Sequence, residues 1–234
     1  MEYEQLDTVK IIFYSTTGWL VNLPKPKLTA LYPLILMEKT MIAWLNFAIL
    51  IISTLLTFYF YVKSAGPAAL EKKIGPTAYQ KCTRYRILSG ILMTLVGINY
   101  VVYAFYPLPF SLPLTFPWPW WVSALIAILI AIPAGYPWVR GMKDAGEETM
   151  LVKKEHTLYS GIYAKIRHPQ AAGEVWYWWV FAFLCNSPFL AIYSFVWLPF
   201  FHLMSRAEER DLLIRYGESY RTYMQNTGMY FPKR

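Results

Sequence analysis

The sequence predicts an all-α integral membrane protein with about five transmembrane helices, a C-terminal helical hairpin among them, and a cytosolic C-terminal helix. Three observations carry this. The 234 residues are 56% hydrophobic and only 15% charged, against about 25% charged in soluble domains. Apolar runs near the roughly 20 residues that a bilayer demands recur along the chain. The basic residues behind the net charge of +8 sit between those runs, where positive-inside bias and anionic lipid place them. The partner so indicated is a lipid bilayer, not nucleic acid.

Residues 1–10 carry Glu2, Glu4 and Asp7 and lack the basic start and short apolar core of a cleaved signal peptide. Residues 11–37 are apolar but interrupted by Gly18, Pro24, Pro26 and Pro33, which reads as an interfacial or re-entrant segment. The clearest span covers residues 41–62, and a second runs from about 87 to 106 behind Lys81, Arg84 and Arg86. A third, residues 118–139, opens on Trp118, Trp120 and Trp121, aromatics suited to the headgroup level. Its Pro133 and Pro137 should kink or thin its last turns. Two shorter stretches, 171–185 and 189–204, lie near the lower limit for spanning and read as a hairpin turning at Asn186-Ser187-Pro188. The chain thus divides into an N-terminal membrane region, 1–139, with an interfacial segment and three transmembrane helices, and a chemically denser region, 140–234.

Loop charge orients the bundle. Residues 63–86 carry six Lys/Arg against one acid, Glu71, whereas 107–117 carry no charge. Residues 140–170 carry six Lys/Arg, as does the stretch after Met204. This bias puts the N-terminus outside and the C-terminus in the cytosol. Cys82 and Cys185 stand far apart with no CxxC or Cys/His spacing, so neither a disulfide framework nor a metal site is indicated.

The polar residues cluster after residue 140. In the run from His156 to Pro169, Gly161 offers a bend. Pro169 biases His168 away from helical geometry and suits the first position of a helix, which puts Arg167-His168 on the loop feeding the fourth helix. Further on, Arg206, Glu209, Leu213, Tyr216, Tyr220 and Tyr223 recur at spacings of three and four and would share one helical face. Gly217 weakens that helix, and a close backbone approach would explain it.

Together these segments read H-T-L-x-x-G-[IV]-Y-x-x-x-R-H-P, an apolar hairpin, then E-E-x-x-L-x-x-x-[FY]-G-x-x-Y-x-x-Y. The pattern, over roughly residues 145–234, resembles the isoprenylcysteine carboxyl methyltransferase family, part of a wider group with membrane phospholipid methyltransferases. The resemblance implies an integral membrane methyltransferase that uses S-adenosylmethionine, releases S-adenosylhomocysteine, and acts on a lipophilic acceptor at the cytosolic face. It further implies a cofactor pocket formed by His156, Thr157, Leu158, Tyr159, Tyr163, His168, Pro169, Gln170, Ala171 and Glu209. Arg206 is the nearest counterpart of an arginine that the family directs at the acceptor. Two positions depart from the pattern: Ala171 stands where the family has Tyr, and Glu174 lies on an otherwise apolar helix.

Methyl transfer from a sulfonium is an in-line displacement that needs alignment and exclusion of water more than acid–base help. A carboxylate acceptor, such as a prenylated cysteine, is already ionised, and Arg206 or Arg167 would orient it. An amine acceptor, as in phospholipid N-methylation, must first lose a proton, which makes Glu174, Glu209 or His168 base candidates. An ionisable Glu174 at membrane depth is a functional candidate by default, either paired with Arg167 or facing the acceptor. Blander roles suit other residues: Tyr216, Tyr220 and Tyr223 as headgroup-layer packing, Trp176, Trp178 and Trp179 as lipid-facing aromatics, Asn46 and Asn99 as interhelical glue. A non-catalytic transporter or scaffold is the reading of another class; it requires polar residues along discontinuous helices.

Overall fold

A computed structural model describes residues 25–155 and 160–233, with side chains from residue 33 onward. The chain divides into two compact units, Met1–Met41 and Ile42–Arg234. Helix α1 spans Lys25–Ser64 with Pro33 inside it. Residues 25–37, expected to be interfacial or re-entrant, are therefore helical and run on into the first span; residues 11–24 lie outside the described residues. The prolines did not break the helix for a positional reason. Pro26 falls in the first turn, where its missing N–H had no partner to lose, and Pro33 removes a single bond.

In the second unit follow α2 (Pro67–Ile74), α3 (Thr77–Phe105), α4 (Trp120–Ala145), α5 (Pro169–Leu184), α6 (Pro188–Tyr193), α7 (Trp197–Tyr216) and α8 (Glu218–Asn226). Extended pairing among the described residues is limited to one bridge, Ile166 with Gly228. The protein is all-α, and among the described residues four helical stretches are long and apolar enough to cross a membrane: Pro33–Ser64, Thr77–Phe105, Trp120–Thr149 and Pro188–Tyr216. Only 17–33% of each apolar window is buried within the protein, so the remaining apolar surface needs lipid to cover it. The 16 residues of α5 reach only about 24 Å at helical rise, short of the roughly 30 Å hydrocarbon core. That helix instead forms the first arm of the expected hairpin.

The hairpin turns where its sequence foretold. Asn186 takes φ 51° and accepts a hydrogen bond from Ser123 Oγ at 2.6 Å. Ser187 Oγ accepts from the Leu190 amide, and Pro188 opens the next helix. Helical structure in α4 continues through Pro133 and Pro137 to Ala145.

Close packing of α5 on α4 depends on glycine. A side chain at Gly173 would collide with the Ala134 carbonyl and Trp138, and one at Gly141 would meet Pro169 and Gln170. Gly135 makes room for the Tyr177 hydroxyl, which donates to the Ala131 carbonyl at 3.3 Å. Such small-residue contacts are how helices approach without a hydrophobic driving force in lipid. Trp178 and Trp179, expected to face lipid, are instead buried, whereas Trp176 is exposed. Trp178 stacks on Trp197 of α7 at 4.1 Å with planes 7° apart, beside Tyr100 of α3, so this face of α5 packs against the second hairpin arm rather than lipid. Asn46 Nδ2 donates to the Asn99 carbonyl at 3.1 Å, the interhelical role expected of that pair.

Gly173→Ala should destabilise the protein by about 1–3 kcal/mol through overpacking, whereas Gly97→Ala, with open space around it, should not. Thermal unfolding of both variants in the same detergent is the check.

Candidate functional site

The site begins in the loop that enters the hairpin. Gly161 adopts φ +62°, and a Cβ there would strike the Asp144 carboxylate. That carboxylate accepts from the Ile162 amide at 2.8 Å and pins a 3-10 turn, Gly161–Ala164. Within the turn, Tyr163 is buried and accepts from Gln170 Nε2 at 3.0 Å; burial pushes its phenol well above the ordinary value. The chain then runs beside the tail that follows α8. The Arg167 amide donates to the Gly228 carbonyl at 2.8 Å and the His168 amide to the Met229 carbonyl at 3.0 Å. Pro169 opens α5 directly after His168.

Two adjacent carboxylates of α7 meet this loop. Glu209 Oε1 accepts from Arg167 Nε at 2.8 Å and lies 3.3 Å from His168 Nε2. Glu208 Oε2 lies 3.5 Å from His168 Nδ1, while its Oε1 accepts from Tyr61 OH at 2.9 Å and pairs with Arg86 at 3.1 Å. Ionised carboxylates only accept, so an imidazole that satisfies both must carry both protons. Burial opposes that charge at His168, yet its hydrogen bonds to Glu208 and Glu209 and their field outweigh burial, and its pKa is raised above 6.5.

Beside the cluster lies a cavity of about 280 Å³, near the lower end for ligand sites, roughly 300–1,000 Å³. Tyr163, Arg167, His168, Gln170, Ala171 and Glu174 line it, as does Glu208. Ala171, the position that departs from the resembling pattern, contributes only a small side chain to that wall. Pro169 and Glu209 do not reach the cavity; Glu209 stands behind His168. Arg206 does not line it either: its side chain is 53% exposed and approaches Glu209 Oε2 at 3.6 Å. The Arg167 guanidinium is engaged by Glu209 and by the Met224 and Thr227 carbonyls. Glu174 makes no ion pair with Arg167 and faces the cavity. His156, Thr157, Leu158 and Tyr159 lie outside the described residues. Among the described residues no group of His, Cys, Asp and Glu could hold a metal.

Sequence reasoning missed Tyr61 and Arg86. The sequence places Arg86 just before a span starting near residue 87, but α3 begins at Thr77, so the arginine lies inside the helix. Tyr220, expected against headgroups, is buried and lines the cavity. The helical stripe breaks at Gly217, whose φ of +53° ends α7 with open space around it. Backbone conformation, not close approach, explains that glycine.

No protein-family model matches the chain, and no curated protein matches it.

Because its folded pKa is raised, charged His168 contributes stability that is complete below pH 6.5 and is lost as pH rises through the folded value. The melting temperature should fall over that window, and the fall should flatten in His168→Gln. A second expectation concerns the tail: removing residues 227–234 deletes the Thr227, Gly228 and Met229 carbonyls that accept from Arg167 and His168 and should lower the melting temperature by several degrees.

Proposed function

We propose that the protein is an integral membrane S-adenosylmethionine-dependent methyltransferase acting on a lipophilic acceptor, most like the isoprenylcysteine carboxyl methyltransferases. One observation carries the reading: His168 and Glu209, 41 residues apart in sequence, meet at 3.3 Å beside a cavity, as the two resembling motifs require. The cofactor combines an amino acid, an adenosine and a cationic sulfur, so its host needs acids, aromatic rings and flexible apolar contacts. Glu174 and Glu208, Trp138 and Tyr220, and Met93 and Met142 supply these along the cavity wall.

When bound, S-adenosylmethionine supplies a methyl group activated by a positive sulfur. Tyr163, His168, Gln170 and Ala171 would hold it, with His156, Thr157, Leu158 and Tyr159 added by the resemblance. Glu209 acts by positioning, since it fixes the charge and orientation of His168. Phe201, Met204 and Trp138 exclude water, which strengthens every electrostatic contact inside. The site sits at the end of the bundle where α1 finishes, α3 starts and the basic segments gather; the positive-inside rule makes that end cytosolic. Polar residues massed at one end, not strung along a path through the bundle, favour an enzyme over a transporter.

Titration calorimetry should show saturable binding of S-adenosylhomocysteine to the purified protein. His168→Ala and Glu209→Ala should each weaken it by about tenfold or more, at least 1.4 kcal/mol, and Arg206→Ala by less. Unchanged affinity in both of the first two variants sinks the assignment.

A further inference from the structure

The seam between the end of α1 and the start of α3 has two flanks. Toward the cavity stand Tyr61, Ser64, Arg86 and Ser89. Their polar groups are engaged: Arg86 Nε donates to Ser64 Oγ at 3.1 Å, and Ser89 Oγ to the Thr57 carbonyl at 2.9 Å. In the seam itself the Phe60 and Tyr85 rings meet at 5.8 Å, and Cys82 Sγ donates to the Lys63 carbonyl at 3.6 Å. The two helix ends are thereby held side by side.

On the flank away from the cavity the cations go unanswered. Lys63 Nζ sits 5.6 Å from the centre of the Tyr59 ring, and Lys81 Nζ 6.0 Å from that of Tyr85. Residues 63–86 contain one acid, Glu71, and it pairs with Lys154 at 2.7 Å; Glu208 is taken by Arg86. Lys63, Lys81 and Arg84 are exposed and have no acidic partner among the described residues. Each of these cations also heads apolar surface. In α1, Tyr59, Leu56 and Ile52 recede from Lys63 at helical spacing, and in α3 Leu88, Ile91 and Ile98 recede from Arg84; all six are exposed. Both stripes belong to spans long and apolar enough to cross a membrane. Hydrocarbon satisfies the stripes and an anion satisfies their heads. A phospholipid of net negative charge supplies both in one molecule, whereas a zwitterionic one brings its own cation to the same place.

From two unpaired lysines resting on tyrosines above adjoining apolar stripes, we propose that the flank of the α1–α3 seam opposite the cavity binds an anionic phospholipid, its phosphate between Lys63 and Lys81 and its acyl chains along the stripes. The lipid is a bound partner and undergoes no reaction there: the seam separates it from His168 and the cavity. It braces the helix ends that carry Tyr61 and Arg86, the two groups that hold Glu208. Nothing in this depends on the methyl-transfer reading.

The test uses the full chain in phosphatidylcholine nanodiscs with or without phosphatidylglycerol. Phosphatidylglycerol should raise the melting temperature by several degrees, and native mass spectrometry should show it retained about tenfold over phosphatidylcholine. Both effects should vanish in Lys63→Gln/Lys81→Gln, return in Lys63→Arg/Lys81→Arg, and survive in Lys143→Gln/Lys165→Gln, which removes the same charge from exposed positions elsewhere. Melting in phosphatidylcholine alone reports that each variant folds. Soluble glycerol 1-phosphate should give no such rise. Retention of both lipids alike, an effect that survives Lys63→Gln/Lys81→Gln, an equal loss in Lys143→Gln/Lys165→Gln, or an equal rise with glycerol 1-phosphate overturns the proposal.

Discussion

The clamp of one imidazole between two neighbouring carboxylates is the constraint on which the rest of the structure depends. Glu208 and Glu209 are adjacent on α7, so their side chains diverge around the helix, and His168 reaches both. Each acid then recruits its own cation, Arg86 on one side and Arg167 on the other. Two acids against three cationic groups leave the cluster tolerable inside an apolar bundle, because no charge is stranded. Breaking a buried pair of this sort costs more than the pair itself contributes, since the survivor is left uncompensated. The network therefore fixes geometry more than it adds stability. It ties α3, the hairpin loop and α7 into one wall.

That wall is placed by packing of a different kind. Gly141 and Gly173 let α4 and α5 approach until backbone meets side chain, which sets the height at which Pro169 starts its helix and hence where His168 is presented. The stacked Trp178 and Trp197 hold the hairpin arms together further along. Polar positioning at one end and aromatic packing along the arms thus divide the work. Neither involves the residues that face lipid.

Much of the architecture was legible because the bilayer imposes a crude and readable demand: long apolar runs, charged segments between them, turns marked by Asn186 and Pro188. The beginning of α3 was harder to read, since Arg84 and Arg86 look like the edge of a span until one sees that they lie well inside a helix. Trp178 and Trp179 were misjudged for a related reason. Hydropathy does not distinguish lipid from protein as a solvent for indole, and only the packing of α5 between its neighbours decides it. At the site, the meeting of His168 with Glu209 could be anticipated from the two motifs. The contribution of Tyr61 and Arg86 could not, because it depends on which helices stand side by side. Gly217 and Arg206 show the remaining gap: periodicity continued a helical face across a residue whose backbone ends it, and proximity in sequence to the acids said nothing about which way the guanidinium would point.

The short parallel pairing of Ile166 with Gly228 has a temporal meaning. Ribosomes deliver the chain in order, so the membrane helices and the hairpin can enter the bilayer while residues 227–229 are still unmade. Until those residues arrive, the Arg167 side chain and the His168 amide lack their carbonyl partners. The helices and the hairpin can therefore pair before the loop that carries His168 is fixed, and the stitch that shapes the cavity forms only after residues 227–229 emerge.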